Sequence, residues 1–345
     1  MFSKLAGLLS KKIGVDLGTM NIRIYIKDRG IVLNQPTLVA LNTRTNQIIS
    51  QGFGAKKMLG KAPAYVSVLK PLENGIINDF EVTEKMLHSS FEKINVGMSS
   101  FLRPEALIAV PLDITEVEKK SFEDAVLQAG ARKVYLIERP VASAIGMRLP
   151  VAESVGSIVA EIGGGLTEIA VIALNGIVAW KSLRIGGDTW NDNIIQYVRE
   201  KYSLLLGEQT AEDIKIKIGS VFPRKENQEM KIKGRDLITG LPKEISITEE
   251  EVREAILPSV NLIIEAISDT IEKTPPELVA DVLDRGIILS GGGSMLKGLA
   301  QLVNKKIKIP VHLADDSSTS VIRGLGLVLE DFENLKEVLL PSTKD

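Results

Sequence analysis

The sequence predicts an α/β protein organised as two duplicated halves, and three observations carry that reading. Short β-branched runs alternate with longer stretches of helical periodicity along the chain. Its 345 residues, 44% of them hydrophobic, are enough for two domains or one large bilobal unit. Residues 13–26 and 158–172 share one plan: an apolar strand ending in an acidic residue, a glycine turn, then a second apolar strand. Asp16, Gly18 and Thr19 mark the first copy; Glu161, Gly163, Gly164, Gly165 and Thr167 mark the second. Taking Gly18 to Gly165 sets the copies 147 positions apart. Two unrelated glycine hairpins would leave the same trace; a duplicated domain with facing copies is the sharper reading.

In chain order, the β-branched runs predict strands over 12–15, 22–27, 106–110, 134–137, 157–160, 168–173 and 286–289. Helical periodicity predicts helices over 115–129, 190–202, 211–219, 249–273 and 294–304. The polar stretch 223–230 reads as an exposed loop. His88 falls in a helical stretch, 82–92, as a surface or packing residue, and Trp180 and Trp190 read as core or cleft-rim packing.

Composition removes several function classes. With 42 basic against 44 acidic side chains, a net charge of −2 argues against nucleic-acid binding by bulk charge. Cysteine is absent, which excludes disulfides, thiolate metal sites and a cysteine nucleophile and fits a reducing compartment. Only two histidines occur, His88 and His312, so histidine zinc sites and Ser-His-Asp triads have almost nothing to work with. No apolar run approaches the roughly 18–20 residues that span a bilayer, and no cleavage site follows the first dozen residues. A cytoplasmic location is expected.

Phosphate binding by backbone needs several N–H groups converging on one concavity, and glycines let the main chain approach closely. Segments 16–21, 161–167 and 290–298 qualify. None is a P-loop or a Rossmann fingerprint, because the first two turns run into strands and the third lacks the spacing. One strand–turn–strand clamp from each half would grip a triphosphate from both sides. The acidic residues beside the turns, Asp16 and Glu161, are candidates to hold Mg²⁺ through water. The third segment, a buried strand running into Gly291, Gly292 and Gly293 at a helix start, suits an adenosine or α-phosphate.

These turns, with VDLGTMN at 15–21, GIVLNQP at 30–36, DFEVTEKML at 79–87, TEVE at 115–118, TAEDIKIKIG at 210–219, GRDLITGLP at 234–242 and the EKTPPEL opening of 272–293, carry a resemblance. The chain resembles the ATPase superfamily of actin, sugar kinases and heat-shock chaperones and, within it, the bacterial actins of the MreB family, from about residue 13 to residue 326. The resemblance implies an actin-like bilobal fold: two ribonuclease-H-like domains around a cleft for ATP and Mg²⁺, each with a smaller subdomain. Lobe I would take residues 1–150, its small subdomain about 33–77, with a C-terminal helix over 318–345 returning to it; lobe II would take 151–317, its small subdomain about 187–249. Asp16, Gly18, Thr19, Met20 and Asn21 match the first phosphate loop, and Gly163, Gly164, Gly165 and Thr167 the second. Glu212 and Lys215 match positions near the adenosine and ribose, and Gly291, Gly292 and Gly293 the adenosine motif.

Three positions depart from the family pattern. Glu161 stands for an aspartate at the second loop, Asn191 for an aspartate, and Arg139, in Glu138-Arg139-Pro140, for the water-positioning carboxylate. The implied catalytic set is thus Arg139, Thr167 and Glu161. In-line attack on a γ-phosphate needs a group that accepts or orients the water's protons, and a guanidinium has no acceptor. Hydrolysis is expected to be slow or absent with binding retained, and Glu161 is expected to lean toward Arg139 as a compensating pair. Glu138, adjacent on an extended strand, would face the other way.

On a helical wheel Phe2, Leu5, Leu8 and Leu9 share one face, flanked by Lys4, Lys11 and Lys12, a pattern suited to an anionic membrane surface. By resemblance, the loop holding Phe101 and Leu102 inserts beside it. The expectation is an ATP-binding, membrane-associated, actin-like filament protein that sets or maintains cell shape and guides envelope synthesis. Its partners would be further copies of itself in antiparallel double protofilaments, the inner membrane surface and envelope-synthesis proteins. The alternatives are a hydrolysis-deficient scaffold co-assembling with an active relative, and a monomeric ATPase or kinase on the same fold.

Overall fold

A computed structural model of the chain describes residues 11–94, 103–224 and 227–341. Two sheets dominate it. The first has six strands, ordered Leu339–Leu340, Lys133–Glu138, Glu105–Val110, Lys12–Leu17, Asn21–Ile26, Gly30–Pro36. The second has five, ordered Gly176–Leu183, Thr167–Ala173, Ser157–Ile162, Ile287–Ser290, Val311–Leu313. Each contains a three-stranded antiparallel meander whose first strand pairs in parallel with a strand far along the chain.

The duplication is real in the pairing register, and its offset is 145 rather than 147. Ile13 pairs with Ile26 as Ile158 pairs with Val171, and Asp16 faces Arg23 as Glu161 faces Glu168. The turn glycine equivalent to Gly18 is therefore Gly163. Both turns hold four residues between the last paired positions, so a match on Gly165 slips the second copy by one full pleat.

The strands predicted from sequence all form, within a few residues at each end. Helices Glu116–Gln128 and Glu249–Glu272 open on reciprocal caps, Thr115 with Glu118 and Thr248 with Glu251, which satisfy the first orphan N–H groups. Helix Gly187–Tyr202 starts earlier than its periodicity suggests. The helix expected over 294–304 begins only at Leu299: Gly292–Met295 is a short 3₁₀ turn, and Gly298, at φ 80°, breaks the run. Residues 223–230 are not all loop, since strand Glu229–Asp236 starts inside them. A single helix over 318–345 does not form. Ser320–Glu330 stops at Asp331, where the backbone turns out of the helical region, and the segment closes as strand Leu339–Leu340 on the first sheet.

Three buried clusters explain how the parts are held. One lies between the outer face of the first sheet and helices Phe80–Ile94 and Glu116–Gln128. A second lies between the outer face of the second sheet and helices Gly187–Tyr202, Glu208–Ile218, Glu249–Glu272 and Leu299–Ile307. The third joins the sheets: Leu107, Ala109 and Ile137 of one and Val159, Ala170 and Ile172 of the other enclose helices Arg139–Gly146 and Ser320–Glu330. These two helices touch backbone to backbone. A Cβ on Gly146 would stand 1.9 Å from the Ser320 carbonyl oxygen, and one on Gly324 1.7 Å from that of Ala142. Ser143, Ser290 and Ser320 close a buried hydroxyl triangle at this junction, with Oγ separations of 2.7, 2.5 and 3.1 Å.

Candidate functional site

The two glycine turns face one another and close in the same way. The Gly18 N–H donates to the Asn21 carbonyl at 3.1 Å, and the Gly163 N–H to the Leu166 carbonyl at 2.8 Å. Their approach needs bare backbone: a Cβ on Gly164 would meet Met20 Cγ at 2.2 Å, and one on Gly165 would meet the Asn74 nitrogen and Thr19 Oγ1 at 3.0 Å. The N-terminus of helix Gly187–Tyr202 holds the second turn by its carbonyls, with Gly187 N–H on Gly163 O and Asp188 N–H on Gly164 O.

A cleft of about 480 Å³ opens between the turns, within the size range of ligand pockets. It gathers most of the residues expected from sequence: Asp16, Gly18, Thr19, Met20 and Asn21 from one half, Glu161, Gly163, Gly164 and Gly165 from the other, with Arg139, Glu212, Lys215, Gly292 and Gly293. Thr167 and Gly291 are not on its surface. Thr167 is fully buried and donates through Oγ1 to the Ile185 carbonyl. Gly291, at φ +81°, packs where a Cβ would strike Ile162 O at 2.3 Å and Glu161 Oε1 at 2.7 Å.

The charged centre is built on Arg139, the first residue of its helix. Its Nη1 donates to Asp16 Oδ1 at 3.1 Å, its Nη2 to Leu17 O at 3.2 Å, and its Nε lies 3.7 Å from Glu168 Oε2. Arg23 Nη1 donates to the other Asp16 oxygen at 3.0 Å. Within 4 Å Arg139 pairs with Asp16 and with Glu168, the residue facing Glu161 across the hairpin, while Glu161, its expected partner, acts on it through charge at longer range. Arg139 Nε and Glu168 Oε2 are both buried without a hydrogen bond, as their separation requires. Glu168 Oε1 accepts from the Leu112 N–H at 2.6 Å.

Burial pushes the Glu161 carboxyl up to about 7 against the pull of Arg139, with Asp16 adding to the rise and Arg23 opposing it. Burial likewise raises Glu168 to about 8, opposed by Arg139 and by the Leu112 N–H. For Arg139 burial acts the other way, yet Asp16, Glu161 and Glu168 together raise its pKa. Glu138 is also pushed up by burial, lies off the cleft lining, and stands just before the Arg139 helix without a side-chain capping bond.

A second network fixes Glu212 and Lys215. Lys215 Nζ donates to Glu212 Oε2 and to Gly187 O, both at 2.7 Å, and Asn191 Nδ2 donates to the same Glu212 oxygen at 2.8 Å. Burial would raise Glu212, but Lys215 and Asn191 outweigh it and hold the carboxyl low. Asn191 suits this place because its amide donates; an aspartate would put two carboxylates together.

Sequence reading missed Arg23, Leu166, Ile216, Met295 and Lys297 in the lining. Arg23 alone had a legible signal, since strand pairing sets it directly opposite Asp16. Trp190 is core, as expected, whereas Trp180 is 44% exposed on an edge strand of the second sheet. His88 Nδ1 sits 3.3 Å from the Ala129 carbonyl on a helix surface. Phe2, Leu5, Leu8, Leu9, Phe101 and Leu102 lie outside the described residues. Among the described residues no helix is long and apolar enough to cross a membrane, and no group of three or more His, Cys, Asp or Glu could hold a metal ion.

Comparison with known proteins agrees with this geometry. The profile of the MreB/Mbl protein family matches residues 10–337. The cell shape-determining protein Mbl of Bacillus subtilis is 42% identical over 95% of this chain and 98% of its own length. The cell shape-determining protein MreB of Escherichia coli is 43% identical over 96% of each. Among solved structures, MreB5 of Spiroplasma citri bound to ADP superposes with a TM-score of 0.89 at 32% identity, covering 94% of this chain and 99% of that one. The same protein bound to AMPPNP gives 0.88 at 31%, over 95% and 98%. A MamK double helical filament shares the fold at 20% identity and a TM-score of 0.78, over 93% and 99%. The fold is thus actin-like, and the chain belongs to the MreB/Mbl family.

Proposed function

We propose that this chain is an ATP-binding bacterial actin that assembles into membrane-bound filaments, sets or maintains cell shape, and turns its nucleotide over slowly or not at all. The observation that carries the reading is the pair of register-matched glycine turns facing one cleft. The phosphates would lie between Gly18–Asn21 and Gly163–Gly165, and the nucleoside toward Glu212, Lys215 and the glycines at 292–293. The ADP and AMPPNP bound to the similar Spiroplasma protein support a nucleotide there.

Slow turnover rests on Arg139. Held by Asp16 and Leu17 O, it offers donors only at the position expected to supply an acceptor for the attacking water. This favours a second reading, a nucleotide-bound scaffold that co-assembles with an active relative. Mg²⁺, expected on Asp16 and Glu161 through water, fits Asp16 poorly, because each of its oxygens already accepts from a guanidinium group and a cation there would stand beside two positive charges.

Membrane attachment rests on the amphipathic first residues and on Phe101 and Leu102. A few such side chains, each giving about 1.5–3 kcal/mol when fully buried, would hold one subunit weakly and a filament firmly. We further propose a cytoplasmic location, self-association as antiparallel double protofilaments, and contact with envelope-synthesis proteins. Domain limits follow the sequence reading, with lobes over 1–150 and 151–317. Sedimentation and electron microscopy on anionic liposomes, with and without Mg·ATP, test the proposal. Nucleotide-dependent filaments on the membrane are expected; bound nucleotide without polymer in any condition would overturn the filament reading.

A further inference from the structure

We infer that Arg23 and Arg139, fixed on the two oxygens of Asp16, form an arginine pair in the cleft that binds the triphosphate of a nucleotide without a divalent metal. The inference rests on the reading of the cleft as a nucleotide site and goes beyond it, to what neutralises the phosphates. Asp16 is only 2% exposed, and each of its oxygens accepts from a different guanidinium, at 3.0 and 3.1 Å. A divalent cation on that carboxylate, or on a water held by it, would stand beside two positive groups that already take one site on each oxygen. Mg²⁺ is held through one or two carboxylates and retained waters, and here the first-turn carboxylate is already neutralised by arginine.

The same two groups can do the ion's electrostatic work. A guanidinium carries five N–H donors. Arg23 uses one of them on Asp16, and Arg139 uses two, on Asp16 and Leu17 O. Both side chains line the cleft with the glycine turns. Nε of each is buried away from the cleft, so the unused Nη N–H groups of the two side chains are the ones offered to phosphate oxygens, with which guanidinium makes short, charge-assisted contacts. Arginine stays protonated under all ordinary conditions, so the positive charge belongs to the protein rather than to a dissociable ion.

The register shows that the device is built into one half only. Arg23 faces Asp16 across the first hairpin, while the equivalent place in the second half is Glu168, facing Glu161. Arg139 spans the two pairs, touching Asp16 on one side and approaching Glu168 on the other. The sheet duplication therefore places an arginine against the acid of the first turn, and the helix start adds a second from above the sheet edge.

The test is a fluorescence titration of the full chain with N-methylanthraniloyl-ATP, in Mg²⁺ and in EDTA. Wild-type affinity is expected to agree between the two buffers within about threefold. Arg23→Gln and Arg139→Gln are each expected to lose about tenfold or more in EDTA and to regain part of it with Mg²⁺, as a metal takes over the lost charge. Arg139→Lys, which keeps the charge and the fold's ion pair, should retain most of the EDTA affinity if a Gln variant fails to fold. A wild-type affinity that falls more than about thirtyfold in EDTA overturns the inference, as do folded Gln variants that bind like wild type in EDTA. No binding in either buffer overturns the nucleotide reading itself and this inference with it, so the two failures are distinguishable.

Discussion

Replacing Arg139 by glutamate probes the centre of the molecule in two ways at once. The substitution removes the cation that pairs with Asp16 and Glu168 and adds a further carboxyl beside Glu161. Breaking a buried ion pair from one side costs about 3–5 kcal/mol, because the partner charge stays buried. Part of that cost is relieved by proton uptake. Arg139 now restrains the rise of Glu161, already at about 7, and of Glu168, at about 8; without it both acids go higher. Their folded-state values then lie further above the unfolded value of about 4.5, so the stability they contribute is fully present below that pH and is lost as pH rises. Urea denaturation followed by circular dichroism should show a variant closest to wild type at mildly acid pH and progressively weaker above neutrality. Where it is folded, phosphate release should rise, by about 10²–10⁴-fold if the new carboxylate reaches the water. Equal stability at every pH would refute the ion-pair account of Arg139. A folded, nucleotide-binding variant with unchanged phosphate release would refute the missing-acceptor account of slow turnover.

Three further outcomes follow from the same geometry. Glu168→Gln should flatten the pH dependence of the melting temperature: in wild type Glu161 and Glu168 release protons at higher pH folded than unfolded, so stability falls as pH climbs toward about 8, and a profile unchanged by the substitution would contradict the buried-acid assignment. Gly324→Ala would place a methyl 1.7 Å from the Ala142 oxygen, and the overpacking cost of about 1–3 kcal/mol or more should exceed the roughly 1 kcal/mol gained in helix propensity; a melting temperature at or above wild type would show that the helices can part freely. Lys215→Met removes the donor shared by Glu212 and Gly187 O, and isothermal titration should show nucleotide affinity down by about tenfold with the fold retained; unchanged affinity would remove this network from the site.

Much of this was legible because hairpins announce themselves locally. Asp16–Gly18 and Glu161–Gly165 each sit where an apolar strand meets a turn, and strand alternation puts the acid on a defined face. What was not legible depends on the third dimension. Glu161 and Glu168 are neighbours across one hairpin and share a face, so nothing in the chain says which of them Arg139 meets. The Arg139 helix itself has only eight residues, all buried, too short a run for helical periodicity to announce it. The false start of the helix expected at 294 came from Gly298: the apolar pattern continues through it, but its left-handed backbone does not. The short strands Val39–Asn42, Ile48–Gln51 and Val66–Leu69 form a small sheet with too few residues each to show a period.

The layer of two helices between the sheets has a consequence for how the protein is made. Strand Lys12–Leu17 leaves a ribosome long before the helix that covers the inner face of its sheet, Ser320–Glu330. Its edge strand Leu339–Leu340 arrives later still. Until then Leu107, Ala109 and Ile137 have only the Arg139–Gly146 helix against them. The first half cannot finish folding ahead of the second, as sequential domains ordinarily do. From the synthesis of Ile137 until Ser320–Glu330 has followed it, the nascent chain carries an apolar face that its own fold does not yet cover.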